Sequence, residues 1–235
     1  MKILAIESSS VVASCAICEG ETVLASSELC VGLLHSRTLM VLVDNMFSNA
    51  KIDVKDIGAV AVSCGPGSFT GLRIGVAAAK GIALGLGVPC VGVDSLLGLA
   101  YNLIDINNVT VCAVLDARRN TTYTAFFNIE NFKVVRCFED CVLEKEALKQ
   151  KLILNKMPTF LVGDAASSCY EYMQGVNNIF LASPRLRLQS AVSVAFCAQH
   201  IISKNKAPLN DVVVPKYIQL SQAERERNEK LNGSF

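Results

Sequence analysis

Apolar positions in this 235-residue chain fall into short unbroken runs that alternate with stripes at helical spacing. "KILAIES" (2–8) is an apolar run that closes on the carboxylate of Glu7. "VVASCAI" (11–17) and "TVLASSE" (22–28) follow, with "GE" at 20–21 as the tight turn between those two. Runs of this length, bounded by turn residues, read as strands. A stripe comes next. Over 36–49, Leu39, Leu42, Val43, Met46 and Phe47 recur at intervals of three and four residues, and Met40 widens the stripe, which predicts an amphipathic helix. "IGAVAVS" (57–63) is apolar almost throughout, the pattern of a strand buried in a sheet interior. Residues 71–86 read as a second helix, and "VPCVGV" (88–93) as the last strand of this half.

The second half repeats the theme. "VTVCAVLDA" (109–117) mirrors the first run, an apolar strand ending in a carboxylate, here Asp116. "TTYTAFFNI" and "KVVRCFE" are the next two strands with "ENF" as their turn. A helix near 144–151, the strand "TFLVG", and helices near 165–174 and 191–204 complete the set. Two successive strand-strand-strand-helix-strand-helix units predict a duplicated α/β fold of two lobes with mixed sheets flanked by helices. The boundary falls at 102/103: an N-terminal lobe over 1–102, and a reduced C-terminal lobe over 103–235 with a charged tail, "SQAERERNEKLNGSF".

Composition changes this picture in one respect. The chain is 51% hydrophobic and 18% charged, more apolar than its own core needs, which predicts apolar surface buried against a partner. The net charge of +1 speaks against a broadly basic nucleic-acid surface. "MKILAIE" makes a poor signal peptide, and Arg73, Lys80 and Pro89 interrupt the longest apolar stretch, so a cytoplasmic chain without a membrane span is expected. The 10 cysteines lack metal-ligand spacing. Cys15 and Cys18 form a C-x-x-C within a strand, where residues three apart face opposite sides, so reduced thiols acting as small hydrophobes are expected.

"GPGSFTGLRIG" (65–75) carries the most specific chemistry. A phosphate loop of the common NTPase type needs a lysine after its last glycine, but here Leu72 and Arg73 follow Gly71. Gly65 and Gly67 allow positive φ and close backbone approach, and Ser68 or Thr70 can cap the helix that follows. Its first-turn N–H groups could hold an anion, or the turn could be purely structural. Arg73 and Lys80 are the only charged residues between 71 and 86, and the rest is apolar or small. Such a helix is either enclosed by its own fold or is a close-packing interface with another protein.

The stretches "ILAIESSS", "GPGSFTGLRIG", "GVPCVGVDSL", "VLDARRNTTYTAF" and "PKYIQLSQAERE" together resemble the TsaB (YeaZ-type) family of tRNA threonylcarbamoyladenosine biosynthesis proteins, over essentially the whole chain. The resemblance implies the fold of actin, Hsp70 and the sugar kinases. It also implies a place in N6-threonylcarbamoylation of adenosine 37 in tRNAs that read codons beginning with A. A TsaD-type transferase would be the heterodimer partner, and a TsaE-type ATPase would dock on the pair. ATP and magnesium are then expected on the partner subunits, with no cofactor or metal required by this chain, and a homodimer is expected in isolation. The pairing surface implied is the two helices, through Leu39, Val43, Met46, Phe47, Arg73, Val76, Ala77, Lys80 and Leu84. The TsaD-type relative carries an H-x-x-x-H metal pair where Ser95 and Leu99 stand here, so its active site is expected to be degenerate in this chain. His35 and His200 are the only histidines, and "GDAASS" (163–168) is a weak remnant of an adenosine loop.

Two other functions come into question for this sequence. An ATPase of the same fold would use Glu7, Ser8 and Asp116 at strand ends, with Gly65, Gly67, Ser68 and Thr70 as a phosphate nest. A non-catalytic chain would keep these only as a vestigial nucleotide or anion site. A peptidase finds no support: there is no H-E-x-x-H and no serine in a nucleophile elbow. "DARRN" (116–120) and "PRLRLQ" (184–189) are short basic clusters, open both as solvated surface and as a path for tRNA phosphate within a complex.

Overall fold

The computed structural model describes residues 1–32, 35–204 and 213–219; the charged tail at 221–235 lies outside them. The first lobe runs β1 (Lys2–Glu7), β2 (Ala13–Glu19), β3 (Thr22–Leu29), α1 (His35–Ala50), β4 (Ile57–Gly65), α2 (Phe69–Leu86), β5 (Cys90–Asp94) and α3 (Ser95–Tyr101). The second runs β6 (Val109–Asp116), β7 (Thr121–Glu130), β8 (Lys133–Glu144), α4 (Lys145–Leu154), β9 (Thr159–Val162), α5 (Ala166–Tyr172), β10 (Ile179–Leu181), α6 (Pro184–Arg187) and α7 (Ala191–Ser203).

The duplication is literal. The first sheet has the order β3-β2-β1-β4-β5 and the second β8-β7-β6-β9-β10, the same sequence of positions. In each, the first three strands are antiparallel neighbours, and the last two join the first in parallel. Alternation decides which core each side chain enters. Leu4 and Ile6 of β1 face α1 and α2, whereas Ile3 and Ala5 face α7. Cys15 and Cys18 diverge in the same way, one into each core, as their spacing predicts.

The layering crosses the sequence boundary. The inner face of the first sheet is covered by α7, through Ala191, Val194, Ala195, Cys197 and Ala198. The inner face of the second sheet is covered by α3, through Leu96, Leu99, Ala100 and Leu103 at its end. Each lobe therefore lends its last helix to the other sheet, while α4 and α5 cover the second sheet's outer face. A division at 102 separates the two sheets but leaves α7 packed on the first. The segment 213–219 also returns there: Val213 enters the core beneath α2, and the Lys216 amide donates to the Cys64 carbonyl at 2.6 Å.

Sequence periodicity missed three short elements. The Asp94 carboxylate caps α3 by accepting from the Leu97 amide at 2.9 Å, a start signal that was present but unread. β10 and α6 are only three and four residues long, too short to display a period.

Candidate functional site

The turn before α2 sits against the hairpin that leaves β1. Ser68, not Thr70, is the N-cap: its hydroxyl accepts from the Gly71 amide at 3.2 Å, while Thr70 stands exposed in the first turn. The Ser68 amide donates to the Ser9 carbonyl at 2.7 Å, and the Ser8 hydroxyl donates to the Gly71 carbonyl at 2.9 Å. A methyl group at Gly71 would lie well under 3.0 Å from the Ser8 carbonyl oxygen, and one at Gly75 equally close to the Ser8 hydroxyl. Gly67 is pressed against the Ser9 carbonyl in the same manner, and Gly65 against the backbone of Lys216. Gly65, Gly67 and Gly71 thus admit the chain's own backbone, and Gly75 admits the Ser8 side chain.

Glu7 lies beneath this contact and is buried. One carboxylate oxygen accepts from the Ser9 amide at 2.5 Å and the other from the Ser63 hydroxyl. Burial pushes its pKa above the usual carboxylate value, opposed by those hydrogen bonds and by nearby His35. His35 opens α1 and places Nε2 2.6 Å from the Ser10 carbonyl. A carboxylate whose folded pKa is raised contributes stability that is full below its ordinary value of 4.5 and is lost as pH rises through the folded value. Glu7→Gln preserves both contacts, accepting from Ser9 and donating to Ser63, and should flatten the pH dependence of stability above pH 4.5 without loss at neutral pH. Glu7→Ala strands two buried donors and should lose about 2–4 kcal/mol. Urea titrations of the three proteins between pH 4 and 8 check both outcomes.

Asp116, at the end of β6, is exposed and joins this region through Asp164. Asp164 accepts from the Asp116 amide at 2.8 Å with one oxygen and from the Ser10 hydroxyl with the other. It thereby ties the β1–β2 hairpin of the first lobe to the β6–β7 hairpin of the second, and burial raises its pKa. The signal for it was the "GDAASS" stretch. Glu7, Ser8, Gly67 and Ser68 are thus brought together, and Asp116 is linked to them through Asp164 and Ser10. Ser95 accepts from the Gly65 amide at 3.2 Å, and Leu99 is buried in the second sheet's core, so both positions of the metal pair point into the fold.

A second ionic cluster lies where the lobes and the returning segment meet. Arg136 pairs with Asp94 at 3.3 Å and with Asp140, and Lys216 reaches the same two carboxylates at 3.4 and 3.0 Å. Asp94 is pushed up to about 6 by burial and by Asp140 beside it.

The two helices expected to pair with a partner are placed on the outer face of the first sheet. Leu39, Val43, Met46 and Val76 point inward and are buried among β1, β2 and β4, so these four expected contact residues belong to the core. The apolar stripe of α1 is its sheet-facing side. Phe47 is half-buried, while Arg73, Ala77, Lys80 and Leu84 face outward on α2. Leu84 is 85% exposed, and Gly81 and Gly85 beside it open onto empty space. On α1, Met40 (48%), which the sequence counts into the apolar stripe, and Val41 (56%), which falls outside it, both lie on the outer side. The guanidinium of Arg73 lies 3.7 Å over the Phe69 ring and donates from Nε to the Tyr217 hydroxyl at 3.0 Å. By length and composition, α2 is the one helix among the described residues apolar enough to cross a membrane, and only a third of it is buried.

The same architecture occurs in the structure of YeaZ from Pseudomonas aeruginosa, with a TM-score of 0.74 at 22% identity, covering 92% of this chain and 99% of that one. The fold is thus a duplicated α/β one, two mixed sheets flanked by helices, as the sequence pattern predicted. The model of the TsaD family, tRNA N6-adenosine threonylcarbamoyltransferase, matches residues 31–226. Two curated relatives carry the description tRNA threonylcarbamoyladenosine biosynthesis protein TsaB. The Escherichia coli one is 34% identical over 65% of this chain and 66% of its own length; the Bacillus subtilis one is 27% identical over 95% and 96%. The chain belongs to the TsaD family, as a protein of the TsaB (YeaZ) type.

Proposed function

We propose that this chain is a non-catalytic subunit in tRNA threonylcarbamoyladenosine formation, which pairs with a TsaD-type transferase and activates it. The observation that carries the proposal is the outer face of α1 and α2. Met40, Val41 and Leu84 are exposed on it, and Ala77, Gly81 and Gly85 give α2 a strip of small residues that another helix can approach closely. The inward-facing half of the motif supports the non-catalytic role. Both oxygens of Glu7 are engaged within the protein, and the glycine turn is covered by the Ser8 and Ser9 backbone. ATP and magnesium then belong to the partner subunits, a TsaE-type ATPase docks on the pair, the chain self-associates when alone, and the assembly works in the cytoplasm. Any contact with tRNA is made within that assembly.

Reconstitution tests this reading. Threonylcarbamoyladenosine is measured by mass spectrometry in tRNA treated with the adenylate-forming enzyme, the TsaD-type and TsaE-type proteins, with and without this chain. Modification should require the chain, and the chain should fail when it replaces the TsaD-type protein. Modification that proceeds equally without it would remove the proposal.

A further inference from the structure

We propose that the charges on the α1/α2 face select a heterologous partner over a second copy of this chain, and that the partner's helix face is apolar with carboxylates opposite Arg73 and Lys80. This rests on the reading above, in which that face is the pairing surface.

The argument starts from the outward-facing charges. On α2 they are Arg73 and Lys80; no acidic residue occurs anywhere in that helix. On α1 they are Arg37 and Asp44. Three cations therefore share the face with one carboxylate. Among the described residues neither Arg73 nor Lys80 makes an ion pair; the guanidinium of Arg73 is held in place by Phe69 and Tyr217. A pair of identical chains has two-fold symmetry, so each surface meets itself. With α2 antiparallel to its copy about a centre between Val76 and Ala77, Arg73 of each chain faces Lys80 of the other. A centre nearer Gly81 sets Lys80 against Lys80. In either register cation meets cation, in an apolar surround that strengthens the repulsion. If α2 instead meets α1 of the copy, one Asp44 is shared between Arg73 and Lys80, and Arg37 is added.

A different partner escapes this constraint. Arg73 and Lys80 lie two helical turns apart on one face, about 10 Å. A partner helix with carboxylates at that spacing neutralises both, while its apolar residues cover Leu84, Met40 and Val41. Like charges against the wrong partner and opposite charges towards the right one are the two halves of a specificity device. The apolar part of the face supplies adhesion to either partner, and the charges decide between them.

The test reverses the charges in the full-length chain and follows two associations in parallel. Sedimentation equilibrium measures self-association, and calorimetry measures binding to the TsaD-type protein of the same organism. At 50 mM salt Lys80→Glu should tighten self-association about tenfold in the register that sets Arg73 against Lys80, because two symmetry-related repulsions become attractions, and leave it unchanged in the register that sets Lys80 against Lys80. It should weaken the heterodimer by a similar factor. Both changes should shrink in 1 M salt, where screening acts within about 3 Å. The double variant Arg73→Glu/Lys80→Glu restores like charges, so its self-association should fall back towards that of the unaltered chain, while its heterodimer is weaker still. Gly81→Gln, which obstructs the face without adding charge, serves as the control. If it abolishes heterodimer formation while Lys80→Glu changes neither association, or weakens both, charge selection is wrong and the pairing surface stands. If Gly81→Gln binds the TsaD-type protein normally, the surface itself is misplaced and the proposed pairing falls with it.

Discussion

Gly71→Ala is expected to leave the chain largely unfolded, although it replaces a helical glycine with the best helix former. Propensity alone would favour alanine by about 0.5–1 kcal/mol. The added methyl, however, would sit well under 3.0 Å from the Ser8 carbonyl oxygen, a backbone atom with no rotamer to escape into. Ser8 cannot retreat cheaply. Its hydroxyl is bonded to the Gly71 carbonyl, and the neighbouring Ser9 carbonyl takes the Ser68 amide. Relief requires α2 to lift from the hairpin, which loosens Val76, Ala79 and Ala83 from the first core. Overpacking of this kind typically loses 1–3 kcal/mol, and a clash with fixed backbone belongs at or above about 3 kcal/mol. Urea denaturation followed by circular dichroism should show a midpoint near zero denaturant or no cooperative transition. A variant as stable as the parent would mean that the turn and the hairpin are not in contact in solution.

Gly81→Gln should behave in the opposite sense. The position is exposed, and nothing lies within 4 Å of where a side chain would begin. Replacing glycine by glutamine in an exposed helix interior should stabilise the monomer by about 0.5–1 kcal/mol. The same side chain projects from the middle of the small-residue strip formed with Ala77 and Gly85, and so holds an approaching helix away. Interfaces concentrate their energy in a closely packed centre, so loss of close approach there should weaken pairing by two orders of magnitude or more, about 3 kcal/mol. Size-exclusion chromatography with light scattering should show a monomer that melts higher than the parent and no longer co-elutes with the TsaD-type protein. A single variant that gains stability and loses association separates a binding defect from a folding defect.

Much of this was readable in the sequence, and the reasons are local. Strands such as β1 and β4 and the helices α1 and α2 announce themselves through periodicity, which needs only neighbouring residues. The repeat of a carboxylate-ended strand, Glu7 and then Asp116, exposed the duplication that the two identical sheet orders express. Ser68 and the glycines of the turn were singled out on composition and spacing. Their partners were not, because Ser8 stands 63 residues from Gly71 and Asp164 stands 154 from Ser10.

The sequence by itself determined the α/β class, the two-fold repetition, the opposed directions of Cys15 and Cys18, and the start of α2 at a glycine turn. Each follows from backbone geometry and the alternation of side chains within one element. Only the tertiary structure decided which side of α1 and α2 is left outside. An apolar stripe marks a face that must be covered, and says nothing of whether a sheet or another protein covers it. That is why Leu39, Val43, Met46 and Val76 became core while Met40, Val41 and Leu84 remained on the surface. The exchange of α3 and α7 between sheets, and the use of Gly67 and Gly71 to admit backbone and of Gly75 to admit the Ser8 side chain, were settled in the same way, by contacts between segments distant in the chain.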